Sequence, residues 1–475
     1  MKIKAFIKQP TAYLLTGILI SLSSCKVSRD ISKPSDIFPA SYRGSQSTDK
    51  TSVGLVPLRE FLEERYLKVL IDTALIKNND LQVAIRNIDA AQKLLKQARV
   101  GQLPTINLAV TGTTSRPSDN SLNGLTLSQF LGSKHIEDYT AAAALSWEAD
   151  IWGKVRNQKS DALAAFLQTT EARKAIQTQL VSDISRGYYN LLMLDAQVRI
   201  ARENVALNDS TLRIIQLQYD AGQVTSLAVQ QAQAQQLTAA QLVPRFEQDI
   251  TIQENAVSLL LGKVPGPVQR AASLDQFFPL QSISAGIPAA LLNMRPDVKS
   301  AELEIDRANA QVGLNKANMY PALTITAQGG VNSFRASNWF TLPASLFGNV
   351  MGNLTQPLFQ KRRLRTQYEL AVIEREKFVI MFRQQVLTAV GEVSDALVRI
   401  DKLAQQRSVA DQRTETLQQA TLNAGLLFRN GMANYLEVIT AQSDVLQSQL
   451  QSAELKRAQL DASVELYRSV GGGWK

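Results

Sequence analysis

The chain has 475 residues, 45% of them apolar but only 6% aromatic, with one cysteine, one histidine and a net charge of +9. The lone Cys25 excludes an intrachain disulfide and a cysteine-rich metal site, and the lone His135, in a polar stretch, excludes a multi-histidine centre and reads as a loop residue. No basic tract interleaves with aromatics, so a nucleic-acid-binding stripe is not indicated.

In chain order, residues 1–24 read as a signal peptide. Lys2, Lys4 and Lys8 form its basic start, and an apolar stretch runs from Ala12 to Leu22. Leu22-Ser23-Ser24-Cys25 has the form of a lipoprotein processing box, so the expected modification is a lipid on Cys25. Residues 25–60, rich in Ser, Pro and Asp, read as an extended tether. A first structural repeat is expected over 61–262, a linker over 263–296 and a second repeat over 297–475. Pro321 answers Pro104 at an offset of 217, and Gly431 answers Gly222 at 209. A period this long is too great for a solenoid and reads as a duplicated unit.

Each repeat opens with a helix, expected over Asp72 to Gly101 and Asp297 to Asn318. A strand follows Pro104, where Ile106, Leu108 and Val110 alternate with Thr105, Asn107, Ala109 and Thr111. Another follows Pro321, where Leu323 and Ile325 alternate with Thr324 and Thr326. Such alternation suits a strand with one apolar and one wet face. Tyr139 to Trp147 and Asn349 to Leu358 alternate more weakly, and the segment between the first two strands reads as a Gly/Ser/Asn-rich loop. Proline is then absent from Trp152 to Val243 and from Leu358 to the end. Good helix formers fill both tracts, interrupted at Gly222 and Gly431, which gives in each repeat a helix of roughly 65 to 70 residues, a turn and one of roughly 35. At about 1.5 Å per residue the longer helix spans on the order of 100 Å. Pro244 is expected to kink the first post-turn helix. A heptad seam runs from Leu436 through Ile439, Ser443, Leu446, Leu450, Ala453, Arg457, Leu460 and Val464 to Tyr467. The fold class is thus mainly α with a small β part. Four strands cannot close a barrel, and lipid does not tolerate an open edge. Either the sheet is soluble or several chains pool their strands.

The segment Gly286-Ile287-Pro288-Ala289-Ala290-Leu291-Leu292-Asn293-Met294-Arg295-Pro296-Asp297-Val298, with Ala301-Glu302 after it, resembles the joining motif of the TolC-like outer-membrane efflux family, in its OprM-type lipoprotein branch. Tyr219-x-x-Gly222, Leu260-Leu261-Gly262 and Gly471-Gly472-Gly473-Trp474 resemble family marks, and the resemblance covers the chain beyond the tether. One departure is clear: Pro357-Leu358-Phe359 is followed by Gln360-Lys361-Arg362-Arg363, where the family often has Gly-Gly-Arg.

The resemblance implies a homotrimer with a twelve-stranded outer-membrane barrel, four strands per chain, continued by a periplasmic α-helical barrel. It implies a passive, non-enzymatic duct for drugs or other small toxic compounds. The implied partners are a periplasmic adaptor, an inner-membrane pump of the resistance-nodulation-division class and outer-membrane lipid. No cofactor, metal or catalytic residue is expected beyond the lipid on Cys25. The turns at Gly222 and Gly431 are the expected adaptor-docking tips. Leu436 matches a leucine ring of the periplasmic gate. The family's acidic ring falls on Thr440, with Glu437 the nearest substitute. The competing readings are a type I secretion duct and a lipid-anchored coiled-coil scaffold without a pore.

Overall fold

The computed structural model describes residues 27–32, 34, 38–43, 52–62, 64–130, 132–271, 273–277 and 284–474. Cys25, the leader and much of the expected tether lie outside these residues. Two compact units are present, and each takes residues from both halves of the sequence. One contains Ala90–Phe166 and Leu303–Ile380; the other contains Pro34–Asp89, Leu167–Glu302 and Met381–Lys475.

The first expected helix begins earlier than Asp72 and is two helices, α1 (Arg65–Lys77) and α2 (Asn79–Val100). Asn78 breaks it. Its backbone is extended (φ −60°, ψ 128°), and its Oδ1 accepts from the Leu81 N–H at 3.0 Å. The same side chain donates through Nδ2 to the Leu260 carbonyl at 3.0 Å. Asparagine competes for backbone donors in this way, which favours a cap over a helix interior.

In the first unit the strands are β1 (Thr105–Ser115), β2 (Ile136–Glu148), β3 (Ala322–Ser333) and β4 (Leu346–Thr355). They form one antiparallel sheet in the order β1-β2-β3-β4. The connection between β1 and β2 is not all loop: α3 (Leu122–Phe130) lies within it. The last strand begins and ends three residues before the expected Asn349 to Leu358. Pro357, which has no N–H to donate, lies beyond it.

Register settles the sheet's chemistry. Leu108 pairs with Ala143, Ala143 with Gly329 and Gly329 with Gly348. Directly paired residues share a face. One face therefore carries Ile106, Leu108, Val110, Leu145, Trp147, Ile325, Val331, Leu346, Val350 and Leu354. The opposite face carries Thr105, Asn107, Thr111, Thr140, Ser146, Thr324, Thr326, Gln328, Asn349 and Asn353. Strands with weak alternation of their own are completed by their neighbours.

Two helical hairpins follow: α4 (Lys154–Asp220) with α5 (Ser226–Leu260), and, after α6 (Pro296–Ala317), α7 (Arg363–Arg429) with α8 (Tyr435–Ser469). α4 and α7 each have 67 residues, and α5 and α8 each have 35. α5 continues as one helix across Pro244. Among the described residues no helix is long and apolar enough to cross a membrane.

In the second unit Leu67 and Ile71 of α1, Ile184, Tyr188 and Leu191 of α4, and Leu460, Val464 and Tyr467 of α8 build the main core. The seam from Leu436 becomes more buried toward its C-terminal end, where Leu460, Val464 and Tyr467 sit in that core. Arg295 pins the segment leading into α6. The residue is 4% exposed, and its guanidinium reaches both Asp297 oxygens (3.0 and 2.6 Å), Glu392 Oε2 (2.7 Å) and the Ser469 carbonyl (3.1 Å). Pro296 takes the first helical position, where a missing N–H costs nothing.

Candidate functional site

Both hairpin turns are built alike. Gly222 and Gly431 each have φ 72°, a conformation glycine adopts without the Cβ penalty. At the first turn the Gln223 N–H bonds the Gln218 carbonyl (2.8 Å); at the second the Met432 N–H bonds the Leu427 carbonyl (2.9 Å). These six-to-one bonds are helix-terminating Schellman turns. The hairpin ends meet: Ile215 of α4, Ala228 and Ala232 of α5, Phe428 of α7 and Val438 of α8 form a small separate core.

Just past the second turn, Leu436, Glu437 and Thr440 are all exposed. Leu436 and Thr440 share a helical face, while Glu437 points about 100° away. Glu437 also has a structural task that its position in the sequence signals. Asn434 Oδ1 accepts from the Glu437 N–H (3.1 Å), and Asn434 Nδ2 donates to Glu437 Oε1 (3.1 Å). Asn434 is the N-cap and Glu437 the third helical residue, so the one Asn434 side chain both caps the helix and ties down the Glu437 carboxylate.

Two features were not found by reading the sequence. Leu227 stands where Leu436 stands, one residue into the helix start, and the two are 54% and 53% exposed. The 209-residue offset already pointed to it. Second, Asn204, Asn208, Thr211 and Gln442 form a buried polar row between α4 and α8. Gln442 Nε2 donates to Thr211 Oγ1 (2.7 Å), and Asn208 Nδ2 to Asn204 Oδ1 (2.8 Å). The row borders a groove of about 720 Å³ between α4, α7 and α8, whose walls include Leu207, Leu422 and Phe428. Polar residues inside a helix seam set register at some cost in stability, and no periodic signal separates them from surface positions. His135 is a loop residue whose N–H bonds Ser133 Oγ (3.1 Å), and no cluster of three or more His, Cys, Asp or Glu among the described residues could hold a metal.

A sheet with one apolar and one polar face, joined to paired helices of unusual length, is the layout expected of the membrane-duct class of protein. The outer membrane efflux protein family matches residues 70–263 and 287–472, and the chain belongs to it. The toluene efflux pump outer membrane protein TtgF of Pseudomonas putida is 28% identical over 476 residues, covering 98% of this chain and 97% of that protein. The cation efflux system protein CusC of Escherichia coli is 25% identical over 477 residues, covering 98% and 99%. In fold, the chain matches the open-state MtrE outer membrane channel of Neisseria gonorrhoeae with a TM-score of 0.84 at 19% identity, over 95% of this chain and 99% of that one. The protein is a non-enzymatic efflux protein of the outer membrane.

Proposed function

We propose that three copies of the chain close into a twelve-stranded barrel and serve as the exit duct of a tripartite pump for small toxic organic compounds. The observation that carries this is the two-faced sheet. Its outer strands β1 and β4 each have one unpaired edge. Lipid admits no open edge, so β4 of one copy pairs with β1 of the next, with the apolar face toward lipid and the polar face lining the lumen. Three copies place six helical hairpins around the axis. Leu436, with Leu227 at the matching position of the other hairpin, forms the apolar part of the periplasmic gate; Thr440 lies one turn further on, and Glu437 supplies a carboxylate at the rim. An apolar ring resists wetting and a carboxylate ring attracts cations.

The turns at Gly222 and Gly431 dock a periplasmic adaptor, which links the duct to an inner-membrane pump of the resistance-nodulation-division class. Leu22-Ser23-Ser24-Cys25 supports acylation of Cys25, and Cys25→Ala should abolish labelling by a fatty-acid analogue; persistent labelling would point to another site. The assembly is tested by mass measurement in mild detergent. Three chains per particle is the expected result, and a stable monomer with a folded sheet would overturn the reading.

A further inference from the structure

The two junctions from sheet to long helix are chemically unlike. At the first, between β2 and α4, Glu148, Asp150 and Lys154 all find partners within the protein. Asp150 accepts from the Val155 and Arg156 N–H groups (2.9 and 3.0 Å), Lys154 pairs with Glu148 (2.9 Å), and Gly153 supplies the positive φ. Trp152 stacks on Tyr320.

The second junction, between β4 and α7, has the opposite character. Leu358 and Phe359 are 91% and 83% exposed, large apolar side chains set side by side three residues past the strand. Four cations follow within five positions: Lys361, Arg362, Arg363 and Arg365. Lys361 and Arg362 themselves hold the left-handed turn, with φ 50° and 64°. No acid lies in the first turn of α7. Glu369 is shared by Arg365 (2.9 Å) and Arg362 (3.7 Å), while Lys361 and Arg363 have no ion-pair partner among the described residues. Side-chain exposure at Arg362 and Arg365 stays above one half.

We infer that this junction is a lipid-docking surface, at which Leu358 and Phe359 enter the periplasmic leaflet and Lys361, Arg362, Arg363 and Arg365 bind the phosphates of anionic phospholipid. Continuity supports the occupant. The patch follows directly on the last strand of the two-faced sheet, and Leu103, also exposed, lies at the same end of it just before β1. Charge complementarity supports it too, since long cationic side chains beside buried apolar anchors reach headgroup oxygens while their stems stay in the acyl boundary. The guanidinium fork matches phosphate oxygens in pairs, which an uncharged polar residue cannot do. The inference rests on the sheet lying in the membrane and goes beyond it by naming which lipid is preferred and by which residues.

The test uses the full-length protein, delipidated in mild detergent and offered equal phosphatidylglycerol and phosphatidylethanolamine, with retained lipids counted by native mass spectrometry. Wild type should retain phosphatidylglycerol over phosphatidylethanolamine by about tenfold, equivalent to about 1.4 kcal/mol for the cluster as a whole. The variant carrying Lys361→Gln, Arg362→Gln, Arg363→Gln and Arg365→Gln should lose that preference, while Leu358→Ser with Phe359→Ser should lower retention of both lipids. Equal retention by wild type overturns the inference without any variant, so a misassembled mutant cannot shield it. Displacement of phosphatidylglycerol by inorganic phosphate at equal concentration also overturns it, by marking a free-anion site. Conductance of the same wild-type sample in planar bilayers reports separately on whether the duct forms.

Discussion

Arg295 shows how one side chain can hold the join between the two sequence halves. Burial pushes the Asp297 carboxyl up, but the Arg295 guanidinium and its hydrogen bonds outweigh this and hold it below the usual carboxylate range. Arg295→Met should cost about 3 kcal/mol in unfolding experiments, because it strands Asp297 and Glu392 partly buried without their counter-charge. A loss below about 0.5 kcal/mol, the level of a surface pair, would contradict the role. Asp461 of α8 behaves oppositely. Burial raises its carboxyl to about 6 against the pull of Arg457 and Arg186, with Glu465 adding to the rise. One of its oxygens, Oδ1, has no hydrogen-bond partner among the described residues. A raised folded-state value means the native protein holds a proton that the unfolded chain releases near pH 4. The group's stabilising contribution is therefore present below about pH 4 and lost as pH rises through about 6. Asp461→Asn should leave thermal stability unchanged at pH 4 and raise it at pH 8. An equal effect at both values would place the titration elsewhere.

Among the elements, three glycine-terminated helices separate two costs that sequence alone merges. Gly222, Gly431 and Gly471 all have positive φ, but a Cβ at Gly222 or Gly431 meets nothing within 4 Å, whereas at Gly471 it meets the Met294 carbonyl oxygen at 2.4 Å. Gly431→Ala should cost about 1 kcal/mol, the conformational penalty alone. Gly471→Ala should cost at least twice that, since backbone must shift; comparable melting shifts would refute the distinction. The long helices, their turns and the alternation of β1 and β3 were legible in the sequence because period and punctuation are local. Three things were not. Asn78 breaks a helix that apolar periodicity carries straight through. α3 forms in a segment whose Gly, Ser and Asn content reads as loop. The faces of β2 and β4 depend on pairing: Ala141 and Gly348 acquire a side only through Val110, Val331 and Gly329. At the turn, the gate role of Leu436 rests on family likeness alone, while the cap between Asn434 and Glu437 is visible as an Asn-x-x-Glu pattern. The polar row through Gln442 carries no sequence signal, because its burial is decided by a helix more than two hundred residues away.

For the whole molecule, the gate reading makes a distinction among substitutions. Leu436→Ala should raise single-channel conductance in planar bilayers, and adding Leu227→Ala should raise it further, since both leucines stand at matched and equally exposed positions. Glu437→Gln should lower cation preference with a smaller change in conductance. If none of these alters conductance or selectivity while the assembly stays intact, the constriction lies elsewhere. The most direct measurement addresses the barrel wall itself. Single cysteines placed at Ile106, Asn107, Leu108, Asn349 and Val350 are exposed to a charged, membrane-impermeant maleimide in intact outer-membrane vesicles. Labelling should alternate, strong at Asn107 and Asn349 on the polar face and absent at Ile106, Leu108 and Val350 on the apolar face, as a lipid-clad wall around a water-filled lumen requires. Equal labelling of neighbouring positions, or labelling confined to the apolar face, would contradict a transmembrane duct built from this sheet.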